Sequence, residues 1–230
     1  YAGTNSGNVY KLDNTGKQVW KFTADQSTTS VAVDNNGNVY AGTNSGNVYK
    51  LDNTGKQVWK FTADQSTTSV AVDNNGNVYA GTNSGNVYKL DNTGKQVWEF
   101  TADNIVNSVA VDNNGNVYAG TGNYSVYKLD NTGKQVWKFT ADNIVNSVAV
   151  DNNGNVYAGT DSDSVYKLTP DGSNTATYTK NQSRVESYQI DKLTYGNLMN
   201  AIDLSTNDSS GNTYQPNSIA VSASNFAVAS

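Results

Sequence analysis

Residues 30–61 read SVAVDNNGNVYAGTNSGNVYKLDNTGKQVWKF. Four short runs rich in Val, Tyr and Trp stand in this stretch, each closed by a turn signal. They are residues 30–33 (SVAV), 38–43 (NVYAGT), 47–51 (NVYKL) and 56–61 (KQVWKF). Between them lie Asp34-Asn35-Asn36-Gly37, Asn44-Ser45-Gly46 and Asp52-Asn53-Thr54-Gly55. In such turns the Asp carboxylate bonds back to the turn backbone, and Gly takes the positive φ that other residues resist. Successive tight turns between β-prone runs predict one four-stranded antiparallel sheet.

The same unit fills the chain to either side. A 39-residue block begins at Tyr1, returns unchanged at Tyr40, and recurs with small edits at Tyr79, Tyr118 and Tyr157. Four antiparallel strands repeated every 40 residues or so is the pattern of propeller blades. A β-solenoid fits less well, because its coils are shorter and lack successive hairpins. The expected fold is therefore all-β, a β-propeller. SVAV has no bulky side chain and suits the crowded innermost strand A around a channel. NVYAGT is strand B, NVYKL strand C, and KQVWKF the outer strand D. Residues 62–68 connect D to the next A.

Composition narrows the function classes. Only 36% of the 230 residues are hydrophobic, so the core is expected to be thin and shared between units. The chain has no Cys and no His, which excludes disulfides, thiolate metal sites and any histidine acid, base or ligand. Its net charge of −5 leaves no basic footprint for nucleic acid. No run approaches the ~18 apolar residues of a membrane helix. The chain begins in mid-repeat, so the lack of a visible signal peptide says little.

GNVYAGTNSGNVYKLDNTGKQVWKF resembles the quinoprotein-type (pyrroloquinoline-quinone-like) β-propeller repeat, in which an apolar-Tyr-x-Gly-Thr strand precedes a Tyr-x-Leu-Asp strand, a Thr-Gly turn and a Trp strand. The resemblance covers five units from Tyr1 to about Leu168; the fifth lacks the Thr-Gly turn and the Trp. SVAVDNNGNVYAG also resembles the NHL-type repeat. The quinoprotein resemblance implies that Trp20, Trp59, Trp98 and Trp137 are structural. Each is expected to dock on the glycine-containing strand B of an adjoining blade, where the matching residues are Gly3, Gly42, Gly81, Gly120 and Gly159. Plain outer-core filling is the simpler alternative for the four Trp. Quinone-dependent members of that family hold calcium and cofactor with carboxylate and Asn ligands. Nothing here matches those ligands residue by residue, so no cofactor, metal or catalytic residue is assigned.

Comparison of the repeats with one another places most edits at two loops. The B–C turn reads NSGN in three units, then Gly122-Asn123-Tyr124-Ser125, then Asp161-Ser162-Asp163-Ser164. The D–A connection reads QSTT twice, then Asn104-Ile105-Val106-Asn107 and Asn143-Ile144-Val145-Asn146. Strand direction alternates, so both loops emerge on the same rim. Loops carry function on a rigid scaffold. The candidate partner-binding residues are Ile105, Val106, Asn123, Tyr124, Ile144, Val145, Asp161 and Asp163. Two plainer readings fit the same edits: drift in tolerant loops, and Ile-Val pairs buried against the neighbouring blade.

Other motifs carry less. The D-x-x-G turns lack the twelve-residue loop and closing Glu of an EF-hand. Asp161, Asp163 and Asp171 suggest at most a weak oxygen-ligand site. Asn-x-Ser/Thr acceptors occur at Asn123, Asn181 and Asn207, as expected by chance in a chain so rich in Asn and Ser.

Residues 1–230 are read as a single domain, with residues 1–168 near-identical and residues 169–230 divergent. In the divergent part, residues 176–179, 187–191, 193–196, 201–204, 212–215, 218–221 and 226–230 echo strands D, A, B, C, D, A and B; residues 195–204 also suit a short helix. Six strands A predict six blades, with the last closed by N- and C-terminal strands. Residues 1–4 and 226–230 then both claim strand B of that blade, which leaves room for self-association by strand exchange. The expected function is a non-enzymatic binding or structural propeller, extracellular, on a cell surface or on a virion, with a protein or glycan partner. A glycan-binding propeller and a quinoprotein-like or hydrolytic enzyme are the alternatives.

Overall fold

The computed structural model describes residues 1–179, 206–207, 213–214, 218–221 and 226–229. All regular structure among them is β, with five consecutive antiparallel blades. Blade I holds β1 (Ala2–Gly3), β2 (Asn8–Leu12) and β3 (Gln18–Thr23). Blade II holds β4 (Thr28–Val33), β5 (Val39–Thr43), β6 (Asn47–Leu51) and β7 (Gln57–Thr62). Blade III holds β8 (Thr67–Val72), β9 (Val78–Thr82), β10 (Asn86–Leu90) and β11 (Gln96–Thr101). Blade IV holds β12 (Val106–Val111), β13 (Val117–Thr121), β14 (Ser125–Leu129) and β15 (Gln135–Thr140). Blade V holds β16 (Val145–Val150), β17 (Val156–Thr160), β18 (Ser164–Leu168) and β19 (Asn174–Thr179). Within each blade the strands pair in chain order, so strands A to D run from the inside outward. The A strands β4, β8, β12 and β16 stand side by side, and their Val and Ala residues line an apolar groove of about 400 Å³. SVAV is thus the channel strand.

Strand A begins two residues earlier than the apolar run suggests, because the backbone pairs across a bulge. Thr28 faces Thr43 and Ser30 faces Gly42, leaving Thr29 as the extra residue. A bulge re-aims a side chain. Here the Thr29 hydroxyl donates to the Gly42 carbonyl at 3.1 Å and to the carbonyl of Thr67 in the next blade.

The core lies between blades. Tyr40 and Val48 of blade II pack with Val70, Val78, Ala80, Tyr88 and Leu90 of blade III, and equivalent sets fill the other three junctions. Each fully buried Val or Leu contributes roughly 1.5–3 kcal/mol. That burial becomes available only once two blades meet, which is why the unit must recur.

The four Trp pack on an adjoining blade, but on a partner that differs from the one the family resemblance implies. Trp20, Trp59, Trp98 and Trp137 cover Gly55, Gly94, Gly133 and Gly172, the C–D turn glycines of the following blade. The indole N–H of Trp59 donates to the Asn92 carbonyl at 3.1 Å, and that of Trp137 to the Pro170 carbonyl at 2.9 Å. The strand-B glycines serve a different contact. A Cβ on Gly42 would meet Thr67 at 2.6 Å, and one on Gly81 or Gly120 would meet Val106 or Val145. Blade V keeps Gly172 at φ 88°, so Trp137 still finds its turn without a Thr-Gly pair.

Toward the C-terminus, residues 176–179 fall in β19 as expected. β20 (Thr206–Asn207) pairs with β21 (Thr213–Tyr214), and β22 (Ser218–Val221) pairs with β23 (Phe226–Ala229). β22 and β23 fall on the expected A and B runs, and β22 approaches the channel strand β16. Among the described residues β1 pairs with β2, and β22 pairs with β23 rather than with β1. The expected runs at residues 187–191, 193–196 and 201–204, and the alternative helix, lie outside the described residues.

Candidate functional site on the B–C and D–A rim

The B–C turns of blades II, III and IV are each tied to two D–A connections. In blade II the Asn44 N–H donates to Ser27 of the preceding connection at 2.9 Å, and Gly46 accepts from Ala63 of the following one at 2.8 Å. Gly46 has φ 80°, and a Cβ there would lie 2.6 Å from the Gln65 carbonyl oxygen. Both the backbone conformation and the close approach therefore require glycine. The A–B and C–D turns form the opposite rim, where Asn53 comes close to Gly37.

Blades IV and V break this rule. Tyr124 occupies the place of Gly46 at φ 70°, and Asp163 does so at φ 59°. They are the non-glycine residues with positive φ among the described residues. The Tyr124 carbonyl still accepts from Ala141 at 2.7 Å, and its side chain is 45% exposed. Left-handed backbone at a bulky residue costs about 1–2 kcal/mol, and such outliers cluster at functional sites. Asn123 is half-buried and accepts from the Thr121 hydroxyl at 2.9 Å. Ile105, also half-buried, packs over Gly122, where a Cβ would meet its Cγ2 at 2.5 Å. Ile144 is half-buried, and its carbonyl accepts from the Asp161 N–H at 3.0 Å. The Asp161 carboxylate accepts from the Asn146 amide.

Val106 and Val145 do not belong to the exposed rim. Both are fully buried as the first residues of β12 and β16, seated on Gly81 and Gly120 of the preceding blade. They replace Thr28 and Thr67, whose hydroxyls are buried without a hydrogen-bond partner. The substitution removes an orphaned polar atom and keeps the methyl contact. Asp171 is likewise separated from Asp161 and Asp163: it lies on the C–D turn of the opposite rim. Among the described residues no three acidic side chains converge in a metal-binding geometry.

One set of rim residues escapes a comparison that looks for differences. The aspartate opening each D–A connection reaches across to the next blade. Asp142 accepts from Ser162 at 2.6 Å, Ser164 at 2.9 Å and Thr160 at 3.1 Å. Asp64 accepts from Asn86 at 2.9 Å, and Asp25 from Ser45 at 2.7 Å. Asp103 pairs with Lys138 at 2.6 Å. Burial pushes the Asp103 carboxyl up, but bonds from Lys138, Tyr127 and Asn123 outweigh it and hold the carboxyl well below the usual range. The sequence signal for these aspartates is their constancy inside an otherwise edited loop. With the carboxylates engaged in clasps, what the rim of blades IV and V presents is an exposed tyrosine, two half-buried isoleucines and the exposed Asp161 and Asp163, a surface suited to recognition.

Three comparisons bear on kinship. No curated protein sequence matches the chain. The crystal structure of BamB from Moraxella catarrhalis is similar, with a TM-score of 0.65 and 24% identity over 77% of this chain and 57% of that one. The chain therefore spans less than two thirds of that protein's length, and the likeness is one of fold. The family model described as outer membrane protein assembly factor BamB matches residues 5–102 and again residues 54–226. Those matches take in the 39-residue units and the C-terminal strands alike, and the chain belongs to this family of PQQ-type repeat β-propellers.

Proposed function

We propose that this chain is a non-enzymatic binding propeller whose B–C and D–A rim, at blades IV and V, docks a protein partner. The observation that carries the reading is Tyr124: a bulky, exposed side chain held at φ 70° where three sister repeats keep glycine. Ile105 and Ile144 lie in the sequence-edited connections before and after its blade, and Asp161 and Asp163 put acidic residues on the B–C turn of the next blade. The family description, which names an assembly factor, favours a protein partner over a glycan. A secreted or periplasmic setting, which a cysteine-free chain tolerates, is part of the same reading.

The test is site-specific photocrosslinking in the native host. A crosslinker at Asn123 is expected to capture a discrete partner that a crosslinker at Asn36, on the opposite rim, does not. Tyr124→Gly, which restores the repeat's own residue, is expected to abolish the capture while leaving the fold intact. Equal capture from both rims, or capture unaffected by Tyr124→Gly, removes the reading.

A further inference from the structure

The A–B turns of blades II to V each carry an Asn-Gly pair: Asn36-Gly37, Asn75-Gly76, Asn114-Gly115 and Asn153-Gly154. The four Asn side chains are exposed, and the four Gly have φ between 78° and 80°. Asparagine is a thermolabile residue, and Asn-Gly is its most labile pair in an unfolded chain, because no Cβ hinders the attacking glycine nitrogen. We propose that Asn36, Asn75, Asn114 and Asn153 are latent sites of succinimide-forming deamidation, held inert in the folded chain by the turn aspartates Asp34, Asp73, Asp112 and Asp151.

The chemistry needs only water. The backbone nitrogen of Gly115 gives up its proton to solvent and attacks Cγ of Asn114. The N–Cγ bond forms, the Cγ–Nδ2 bond breaks, and Nδ2 takes a proton from water and leaves as ammonia. Water then opens the five-membered imide at either carbonyl, giving aspartate or isoaspartate. Nothing is oxidised or reduced. Each event turns a neutral amide into a carboxylate on the A–B rim.

The turn withholds the attacking nitrogen. The N–H groups of Gly37, Gly76, Gly115 and Gly154 donate to the carbonyls of Asp34, Asp73, Asp112 and Asp151 at 3.0–3.1 Å. The Asp carboxylate fixes that geometry from the other side. In blade IV, Asp112 Oδ1 accepts from the Asn114 and Asn116 N–H groups at 2.9 Å each. Its Oδ2 accepts from the Asn116 amide at 2.8 Å and the Tyr118 hydroxyl at 3.0 Å. Bringing the Gly115 nitrogen onto Asn114 Cγ requires breaking this set, so reaction in the folded state waits on local opening of the turn.

The repeat supplies its own controls. After cleavage at Lys, Asn114 lies in residues 96–128 and Asn153 in residues 139–167, which differ in sequence, while Asn36 and Asn75 share one peptide sequence and are read together. Folded full chain is incubated at mildly alkaline pH and mapped by mass spectrometry. Asp112→Ala is expected to speed deamidation at Asn114 about ten-fold or more, with Asn153 and the Asn36/Asn75 pair unchanged. An unchanged rate at Asn114 overturns the proposal. Should Asp112→Ala unfold the chain, all four sites rise together. The deciding comparison is then wild type folded against wild type unfolded in urea. A folded rate about ten-fold slower or more supports the guard, and equal rates overturn it.

Discussion

The indole of Trp59, on the outer strand of blade II, covers the α-carbon of Gly94 in the C–D turn of blade III. A Cβ on Gly94 would lie 2.7 Å from Trp59 Cδ2 and 3.0 Å from Cε3. Gly16 occupies the same turn position in blade I at φ 81°, with nothing within 4 Å of the same point. The pair separates two effects. Gly16→Ala meets backbone strain alone and is expected to destabilise by about 1 kcal/mol. Gly94→Ala adds the collision with a packed ring and is expected to destabilise by about 2–4 kcal/mol. Chemical denaturation of both variants checks the difference; equal losses would show that the indole moves aside freely.

Thr67 and Val106 hold the same seat in successive blades, each on a strand-B glycine of the blade before. Thr67→Val removes a buried hydroxyl that bonds to nothing. It is expected to stabilise the chain by about 1–2 kcal/mol. The reverse change, Val106→Thr, is expected to lose a similar amount. The check is the denaturation midpoint at constant slope, and a destabilised Thr67→Val would mean that the hydroxyl has a partner after all.

Tyr124→Gly relieves the left-handed strain at the B–C turn of blade IV. A gain of about 1 kcal/mol is expected, alongside the loss of partner capture described above. Thermal unfolding measures the first effect. A loss of stability instead would mean that the Tyr124 ring is part of the packing.

Tyr40, Tyr79 and Tyr118 supply the pH dependence. Burial raises all three hydroxyls, and the neighbouring aspartates, Asp34 and Asp73, Asp73 and Asp112, and Asp112 and Asp151 respectively, raise them further. Their folded values lie above the unfolded value of about 10. The stability they contribute is therefore fully present below pH about 10 and is lost as pH rises through the folded values. Unfolding followed from about pH 8 upward is expected to show a steep alkaline decline. Tyr118→Phe, which has no proton to lose, is expected to flatten it. An identical alkaline slope in Tyr118→Phe would remove the assignment.

The blades were legible because each strand is short, alternating and closed by a turn with a fixed chemistry. Asp34 through Gly37 specifies its hairpin locally, without help from the rest of the chain. The start of strand A was not legible, because Thr28 joins it through a bulge that only the partner strand reveals. Val106 and Val145 illustrate the same boundary: an Ile-Val pair in a connection suits an exposed site or burial against the neighbouring blade, and only the glycine beneath each valine, in another blade, decides for burial. The Trp partner was misassigned for a related reason. Gly42 and Gly55 are both glycines of one unit, and only the three-dimensional offset between blades tells which one lies under the indole. Tyr124 was found by its difference from sister repeats, whereas Asp25, Asp64, Asp103 and Asp142 were missed because they do not differ.

The contacts between blades recur along the chain at constant offsets. The Thr29 hydroxyl reaches 38 residues ahead, the Trp20 indole 33, and the Asn35 amide 39, and each bond is re-formed one unit later. Residues 1–39 and 40–78 are identical. Excising one of these units joins the same atoms to the same atoms, because each contact reaches only to the neighbouring blade. The number of blades is thus free to drift by recombination within the gene, with no junction having to be reinvented.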